Sequence, residues 1–407
     1  MRISTFTMFQ NATNQLGTLQ SGMARTQMQL ATQRRMLTAA DDPIASARAL
    51  EVTQSQAMNE QYATNRTNAR GTLSQVEQTL DGTTSLLQDV QDLVVKAGNG
   101  ALSASDRGML ATELEGRLND LFGMANTSDS AGGYLFSGYK STTVPFTQTA
   151  TGATYHGDQG QRALQVGSAR QVPVSDSGSA IFENNLTGNG RFQTLPAAGN
   201  TGSGVISSGS VVDNAQFTGH DYAIAFAASG APAVTSYTVT DNSTTPGTVV
   251  QNAVPYVSGK QIAFGGMAFD IAGTPAAGDQ FTVKPSEKQS VFATVTKLID
   301  LVRQPAGGAA AHAALANGLA EAGDNLKLAL DNVLTVRASI GSRLKEIDNL
   351  DSIGDDLDVQ YKATLSDLQD LDVVKAISMF TQQQQTLEAA QKSFKSISGL
   401  SLFNYIG

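Results

Sequence analysis

Acid–base or metal chemistry in this chain would fall to carboxylates and histidines, because there is no cysteine. Without cysteine there is no disulfide framework, no thiolate metal site and no thiol nucleophile. The three histidines, His156, His220 and His312, stand far apart and share no ligand spacing. Asp41 and Asp42 form a carboxylate pair, but Pro43 follows them. Proline pushes the preceding residue out of the α region. Asp42 therefore reads as an N-cap with Pro43 at the first helical position, and Asp41 as its solvated neighbour. The acidic cluster Asp348, Asp351, Asp355, Asp356 and Asp358 lacks the spacing of a calcium loop and reads as a solvated helix face. No Gly-Lys-Ser/Thr phosphate loop or Gly-x-Ser-x-Gly elbow is present. Tyr222, Tyr237 and Tyr256 would make a glycan-binding or catalytic β face if they shared one side; core or surface is their ordinary place. No residue is assigned a catalytic, cofactor-binding or metal-binding role.

Composition agrees with a structural reading. The chain has 407 residues, 41% hydrophobic, 15% charged and 6% aromatic, with a net charge of −9. That suits long helices with small polar faces and a loop-rich β region. No basic stripe points to nucleic acid. No apolar run approaches the about 18 residues of a membrane span, so membrane insertion is not expected. The start, Met1 to Thr5, leads straight into an amphipathic pattern, without the apolar core and small-residue cleavage site of a secretory signal. A protein of this kind would leave the cell by a route that does not cleave its N-terminus.

The elements are mostly helical. Phe9, Ala12, Leu16, Leu19, Met23, Thr26 and Leu30 step by three and four, a heptad seam running to about Ala40. Gly17 and Gly22 each weaken that helix by about 1 kcal/mol relative to alanine. A second helix spans about Pro43 to Ala97, with Leu73, Val76, Leu80, Thr83, Leu87, Val90, Val94 and Ala97 on one face, and Gly98-Asn99-Gly100 stops it. Ser103 and Asp106 form a capping box for a third helix, lined by Leu110, Leu114, Leu118, Leu121 and Ala125. Gly132 to Tyr139 reads as a strand entering a turn.

From there to about Lys284 the chain is rich in Gly, Ser, Thr, Asn and Pro. Short alternating runs (163–166, 222–226, 237–240, 262–264, 267–271 and 281–283) describe an all-β unit. Residues 194–210 are low in complexity and read as a mobile loop. Ser286, boxed by Gln289, is expected to cap the next helix, with Val291, Val295, Leu298 and Val302 on its buried face. After Pro305 and Gly307-Gly308 a long helix carries Leu326, Leu330, Val333, Arg337, Ile340, Leu344 and Ile347. It runs on through Leu368 into a closing stripe of Val373, Ile377, Phe380, Gln384, Leu387, Gln391 and Phe394.

The expected fold is α+β and multidomain: an elongated helical bundle or coiled-coil rod built from both chain ends, with an inserted all-β domain. Residues 1–42 with 365–407 would form a terminal coiled-coil domain, 43–148 with 285–364 a helical rod domain, and 149–284 the β domain. The inner helices can cover one another. The outer ones leave Ile3, Phe6, Met8, Leu402, Phe403 and Ile406 without a partner, and two such helices alone are marginal. The expected assembly interface is Phe9, Leu16, Leu19, Met23, Leu30, Ile377, Phe380, Leu387, Phe394, Ile397, Leu400 and Phe403.

These residues carry a family resemblance. Met1 to Thr5, the run Gln29 to Leu37 (QLATQRRML) and Asp41-Asp42-Pro43 resemble the start of the bacterial flagellin superfamily; Arg343 to Asp348 (RLKEID) and the closing helix through Phe394 to Ile406 resemble its end. Tyr134 to Gly138, Pro145-Phe146 and Tyr155 to Asp158 are similar to its hook–filament junction branch, as is Asp-Asp-Pro, where flagellin proper usually has alanine. Gln33 departs from the family, which commonly has glycine before the basic pair, and so bears on the helix-to-connector bend. The resemblance implies a structural, non-enzymatic axial protein without cofactors. It implies export, unfolded, through the flagellar type III channel, with an export chaperone on the C-terminal region beforehand. It further implies a ring of about one helical turn of subunits between the first hook–filament junction protein and the flagellin filament, with paired terminal helices inside and the β domain outside. A minor flagellin is the alternative, and a glycan-binding or enzymatic β module a more distant one.

Overall fold

The computed structural model describes residues 5–129, 132–230, 233–305 and 307–399. Six α-helices are described: α1 (Thr5–Thr32), α2 (Pro43–Ala97), α3 (Ala104–Ala125), α4 (Val291–Arg303), α5 (Ala309–Gln369) and α6 (Val373–Gly399). Between α3 and α4 the chain is β. Two hairpins come first, β1–β2 (Phe146–Thr149, Gly152–Tyr155) and β3–β4 (Ala163–Gly167, Arg170–Pro173). A π-helical turn, Ser179–Glu183, leads to β5 (Asn185–Leu186) and β6 (Phe192–Pro196). Then follow β7 (Val205–Ile206), β8 (Ser210–Val211), β9 (Tyr222–Ser229), β10 (Val234–Asp241), β11 (Thr248–Pro255), β12 (Gln261–Phe264), β13 (Met267–Ala272), β14 (Gln280–Pro285) and β15 (Lys288–Gln289). The fold is α+β, with long helices from both ends of the chain and the β structure inserted between them.

The strands form a five-stranded antiparallel sheet in the order β11-β10-β9-β14-β6 and a smaller one in the order β12-β13-β7, with β8 also on β13. Their inner faces share one core that includes Phe192, Ile224, Phe226, Val239, Phe269, Ile271, Phe281 and Val283. Tyr222 and Tyr237 are buried in it, and Tyr256 packs against it with its hydroxyl donating to the Ile271 and Gly273 carbonyls at 2.9 Å. The three tyrosines thus serve the core rather than an exposed β face.

By contact the chain divides into two compact units, Met1–Thr64 with Asn349–Gly407, and Asn65–Asp348. The unit Asn65–Asp348, inner in chain order, holds nearly all of the buried apolar side chains among the described residues, and the other is the outer unit. Every α2 position of the expected stripe, from Leu73 to Ala97, is buried. Of the expected α5 stripe, Leu326, Val333, Ile340 and Ile347 are buried, seven residues apart, and Ala313, Leu319, Ala322 and Ala329 are buried on the same helix. The α3 capping box forms as expected, Ser103 and Asp106 each accepting from the other's backbone N–H. Helices α3 and α4 pack together, with Phe122 stacked on Phe292 at 4.4 Å. Gly318 lets α5 approach α4, since a Cβ there would sit 2.5 Å from Leu301 Cδ2.

Four expectations are corrected. Tyr134 makes only an isolated bridge with Ser128 and Leu135 to Tyr139 form turns rather than a strand, because Leu135 and Phe136 are drawn into the core while their backbone bonds reach Thr127 and Gly178. The cap of α4 is Ser290, whose side chain accepts from Phe292 N; Ser286 instead donates to the Thr187 carbonyl, and Gln289 lies in β15. The stretch 194–210 is no free loop: it contains the end of β6, β7 and the start of β8, and Asp279 and Asn317 pin it from two sides. The first helix stops at Thr32, well before Ala40.

Candidate assembly site

The outer unit is built on the pairing of α1 with α6. Phe9 lies 5.0 Å from Phe394 between ring centroids, Gly22 faces Gln383, and Arg34 forms an antiparallel bridge with Asp370, so the two helices run antiparallel. Between them sit small and polar groups as well as apolar ones. Thr26, Ala376 and Leu387 are buried, and Gln383 Oε1 is buried without a hydrogen-bond partner among the described residues. A polar group in a helical seam fixes register at a cost in stability.

Both chain segments break at the same level. Gln33 takes a left-handed conformation, φ 54°, and its carbonyl accepts from Leu371 N at 3.0 Å. Left-handed backbone costs a residue with a Cβ roughly 1–2 kcal/mol, which is why glycine suits such a bend. Arg35 N donates to the Gln369 carbonyl, and the Arg35 guanidinium to the Leu368 carbonyl. On the other strand α5 ends at Gln369 and Asp372 caps α6, accepting from Lys375 N at 3.0 Å. The sequence pattern ran through this second break unmarked.

The connector is organised by the carboxylate pair. Asp42 caps α2 as expected, accepting from Ala45 N at 3.0 Å. Asp41 is more than a solvated neighbour: its carboxylate accepts from Leu37 N and Thr38 N at 2.9 Å and pairs with Arg25. The Thr38 N–H above all, with Leu37 N–H and the Arg25 charge, holds the Asp41 carboxyl below its ordinary range.

Of the expected interface residues, Leu16, Leu19, Met23, Leu30, Phe380 and Phe394 are half-buried and Leu387 is buried. Phe9 remains 53% exposed despite its contact with Phe394. Ile377 is off the α1 seam and 52% exposed, beside Val374 at 78%. The side chains of Ile397 and Phe6 are outside the described set, as are residues Ile3, Leu400, Leu402, Phe403 and Ile406. The seam residues that periodicity did not single out on α6 are Ala376 and Gln383, one step from the expected Ile377 and Gln384.

Gly17 and Gly22 lie on α1 where a Cβ has room: nothing comes within 4 Å at Gly17, and at Gly22 the nearest atom is Gln383 Nε2 at 3.9 Å. Gly17→Ala with Gly22→Ala should therefore stabilise α1 by about 1 kcal/mol per site. Amide exchange on the isolated protein should show slower exchange along residues 8–30; unchanged rates would mean that helix propensity does not limit this segment.

The model of the bacterial flagellin N-terminal helical region matches residues 3–141, and that of the D2-like domain of flagellar hook-associated protein 1 matches residues 195–285. The chain is 31% identical to flagellar hook-associated protein 3 of Salmonella typhimurium, over 99% of both chains. It belongs to the flagellar hook-associated protein 3 family. Among solved structures it is similar to hook-associated protein 3 of Legionella pneumophila, with TM-score 0.74 and 32% identity over 78% of this chain and 98% of that one. The same holds for FlgL of Xanthomonas campestris, with TM-score 0.71 and 28% identity over 77% and 99%. The chain is thus a structural component of the bacterial flagellum, of the junction-protein kind.

The residues that resemble the family have physical work in the inner unit. Phe136, Phe146, Phe182 and Phe292 form one aromatic cluster, with ring centroids 5.0–5.8 Å apart. Tyr155 donates to the Phe136 and Asp158 carbonyls, and burial pushes its phenol up to about 12. Asp158 in turn accepts from Tyr139 N and Gly160 N at 2.8 Å. Gly157 is needed there, since a Cβ would meet the Tyr155 hydroxyl at 2.3 Å. The segment Arg343 to Asp348 clamps the β3–β4 hairpin and α2: Arg343 pairs with Asp176, Glu346 with Arg170, and Asp348 with Arg70. The acidic cluster is accordingly not all solvated, as Asp358 also pairs with Lys362 and accepts from Gln56.

No group of three or more potential metal ligands occurs among the described residues, and no described helix is long and apolar enough to cross a membrane.

Proposed function

We propose that the chain joins the hook side of the flagellum to its filament by packing its terminal helices against neighbouring subunits. The terminal domain, residues 1–42 with 365–407, carries the assembly; 43–148 with 285–364 is a supporting helical domain, and 149–284 the β domain. Export through the flagellar type III channel precedes assembly, with a chaperone on the C-terminal region. Subunits then form a short ring that contacts the first hook–filament junction protein on one side and flagellin on the other. The relatives are structural flagellar proteins, and the role is non-enzymatic.

The observation that supports this reading is the thin core of the outer unit. Among its described residues the fully buried apolar side chains are Ala45, Ala49, Ala376 and Leu387. Met28, Ile44, Leu50, Val374, Ile377 and Met379 all remain exposed. Burying one such large side chain is worth about 1.5–3 kcal/mol, so a neighbour that covers several supplies what the monomer lacks.

The test uses positions that do nothing for the monomer. Val374→Glu with Ile377→Glu should leave thermal unfolding of the purified protein unchanged, because both side chains already face water. In cells lacking the native gene, the variant should give hooks without filaments and flagellin shed into the medium. Wild-type motility would sink the proposal. Purified protein that polymerises alone into long filaments would favour the minor-flagellin reading instead.

A further inference from the structure

The chain contains three Asn-Gly dipeptides, Asn99-Gly100, Asn189-Gly190 and Asn317-Gly318. In such a dipeptide the backbone nitrogen of glycine can attack the side-chain amide carbon of asparagine. A new N–C bond closes a five-membered succinimide, the C–N bond of the side-chain amide breaks, and ammonia leaves with the proton from the glycine nitrogen. Water then opens the ring to aspartate or isoaspartate. Glycine favours the attack because no Cβ shields its nitrogen. The reaction needs a side chain free to swing, a nitrogen not held in another hydrogen bond, and a backbone able to turn.

The structure separates three sites that the sequence makes equivalent. Asn317 lies inside α5, where the Gly318 nitrogen belongs to the helix ladder. Its side chain is buried and held at both ends, Oδ1 accepting from Ile206 N at 2.9 Å and Nδ2 donating to the Gly204 carbonyl at 3.0 Å. Asn189 is held by four bonds: Oδ1 accepts from Arg191 N and Phe192 N, and Nδ2 donates to the Ser208 and Gly209 carbonyls. The Gly190 nitrogen is occupied as well, donating to the Thr187 carbonyl at 3.2 Å. Asn99 and Gly100 are exposed in the turn between α2 and α3. Asn99 Oδ1 accepts one bond, from Ala101 N at 3.1 Å, which closes the amide over the Gly100 peptide. Among the described residues neither Asn99 Nδ2 nor the Gly100 nitrogen donates a hydrogen bond.

We infer that Asn99 is a spontaneous deamidation site of the folded protein, and that the fold protects Asn189 and Asn317. The product adds a negative charge to the surface cleft that Asn99 lines together with Lys96, Asp106 and Glu113. This inference rests on the inner unit alone and stands apart from the assembly proposal.

The full-length protein would be incubated at mildly alkaline pH in heavy-oxygen water, which labels only carboxylates formed during the incubation, and each site followed by peptide mass spectrometry. In the native protein Asn99 should deamidate at least about tenfold faster than Asn189 or Asn317, since those two must first open locally. In concentrated urea the three rates should converge. Gly100→Ala adds a Cβ with nothing within 4 Å, so it folds normally and should slow the reaction at residue 99 severalfold. Native rates at Asn189 or Asn317 equal to that at Asn99, or no labelling at Asn99, would overturn the assignment.

Discussion

Arg343→Met should cost about 3 kcal/mol of local stability, felt first in the β3–β4 hairpin. The Arg343 guanidinium holds the Asp176 carboxylate through two bonds, 2.8 and 3.1 Å, and also reaches the Pro173 carbonyl at the end of β4. Both side chains are largely out of water, 15% and 10% exposed. Removing one partner of a buried pair leaves an uncompensated charge, which costs about 3–5 kcal/mol where burial is complete. Here Gln161 Nε2 still donates to Asp176 at 2.7 Å, which sets the loss near the lower end. Amide exchange in residues 163–173 should accelerate about a hundredfold, the factor that about 3 kcal/mol implies. Lysine is no substitute, because it cannot make the forked contact. Adding Asp176→Asn to Arg343→Met should recover part of the loss, since the orphaned charge is gone. A hairpin as protected in the single variant as in the native protein would refute the clamp.

That clamp shows what a sequence reading can and cannot see. The segment Arg343 to Asp348 was visible as a family feature and its helix as a seven-residue repeat, yet its partners Asp176, Arg170 and Arg70 lie far away in the chain. Periodicity reports which face of a helix is buried, because apolar burial repeats with the helical turn. The α2 stripe from Leu73 to Ala97 was legible for that reason. The alternating strands β9, β10, β12, β13 and β14 were legible on the same ground. Strands such as β11, whose residues are mostly exposed, were not.

Breaks were harder to place than faces. The heptad runs through Asp370 to Asp372 almost undisturbed, because that interruption is made by backbone pairing with residues 33–35 rather than by proline or glycine. Ser286 and Gln289 satisfied the pattern of a capping box, but Ser290 lies closer to the apolar face of α4 and wins the cap, which frees Ser286 to bond Thr187. In the α1–α6 pairing both helices and most of the facing positions were readable. The choice of Ala376 and Gln383 over Ile377 and Gln384 was not, since it depends on how α1 sits against α6, with Gly22 facing Gln383.

The order of the stretch 194–210 is hidden in the sequence for a different reason, and this stretch carries the last large expectation. Its Gly, Ser and Thr content makes no apolar pattern, so it resembles free loop. It is held instead by polar side chains. Asp279, 2% exposed, accepts from Thr201 N at 2.8 Å with one oxygen, and from Gly202 N at 3.0 Å and Ala276 N at 2.8 Å with the other. Asn317 on α5 holds the next residues through Ile206 N and the Gly204 carbonyl, and Asp324 on the same helix takes the Ser208 hydroxyl. Asp279→Ala would leave three backbone donors without their acceptor. Each costs about 1–3 kcal/mol if it stays dry; with water admitted at the surface side, a total of about 3 kcal/mol is expected. Asp279→Asn is no milder, because one of its two positions becomes a donor facing donors. Exchange and proteolysis should open residues 197–204 while β9 and β10 keep their protection. Asn317→Ala should loosen 204–206 alone, and the double variant should free the strap from Ala197 to Ser208. If the strap stayed closed in Asp279→Ala, backbone pairing of β7 with β13 would be its real anchor and the carboxylate a bystander.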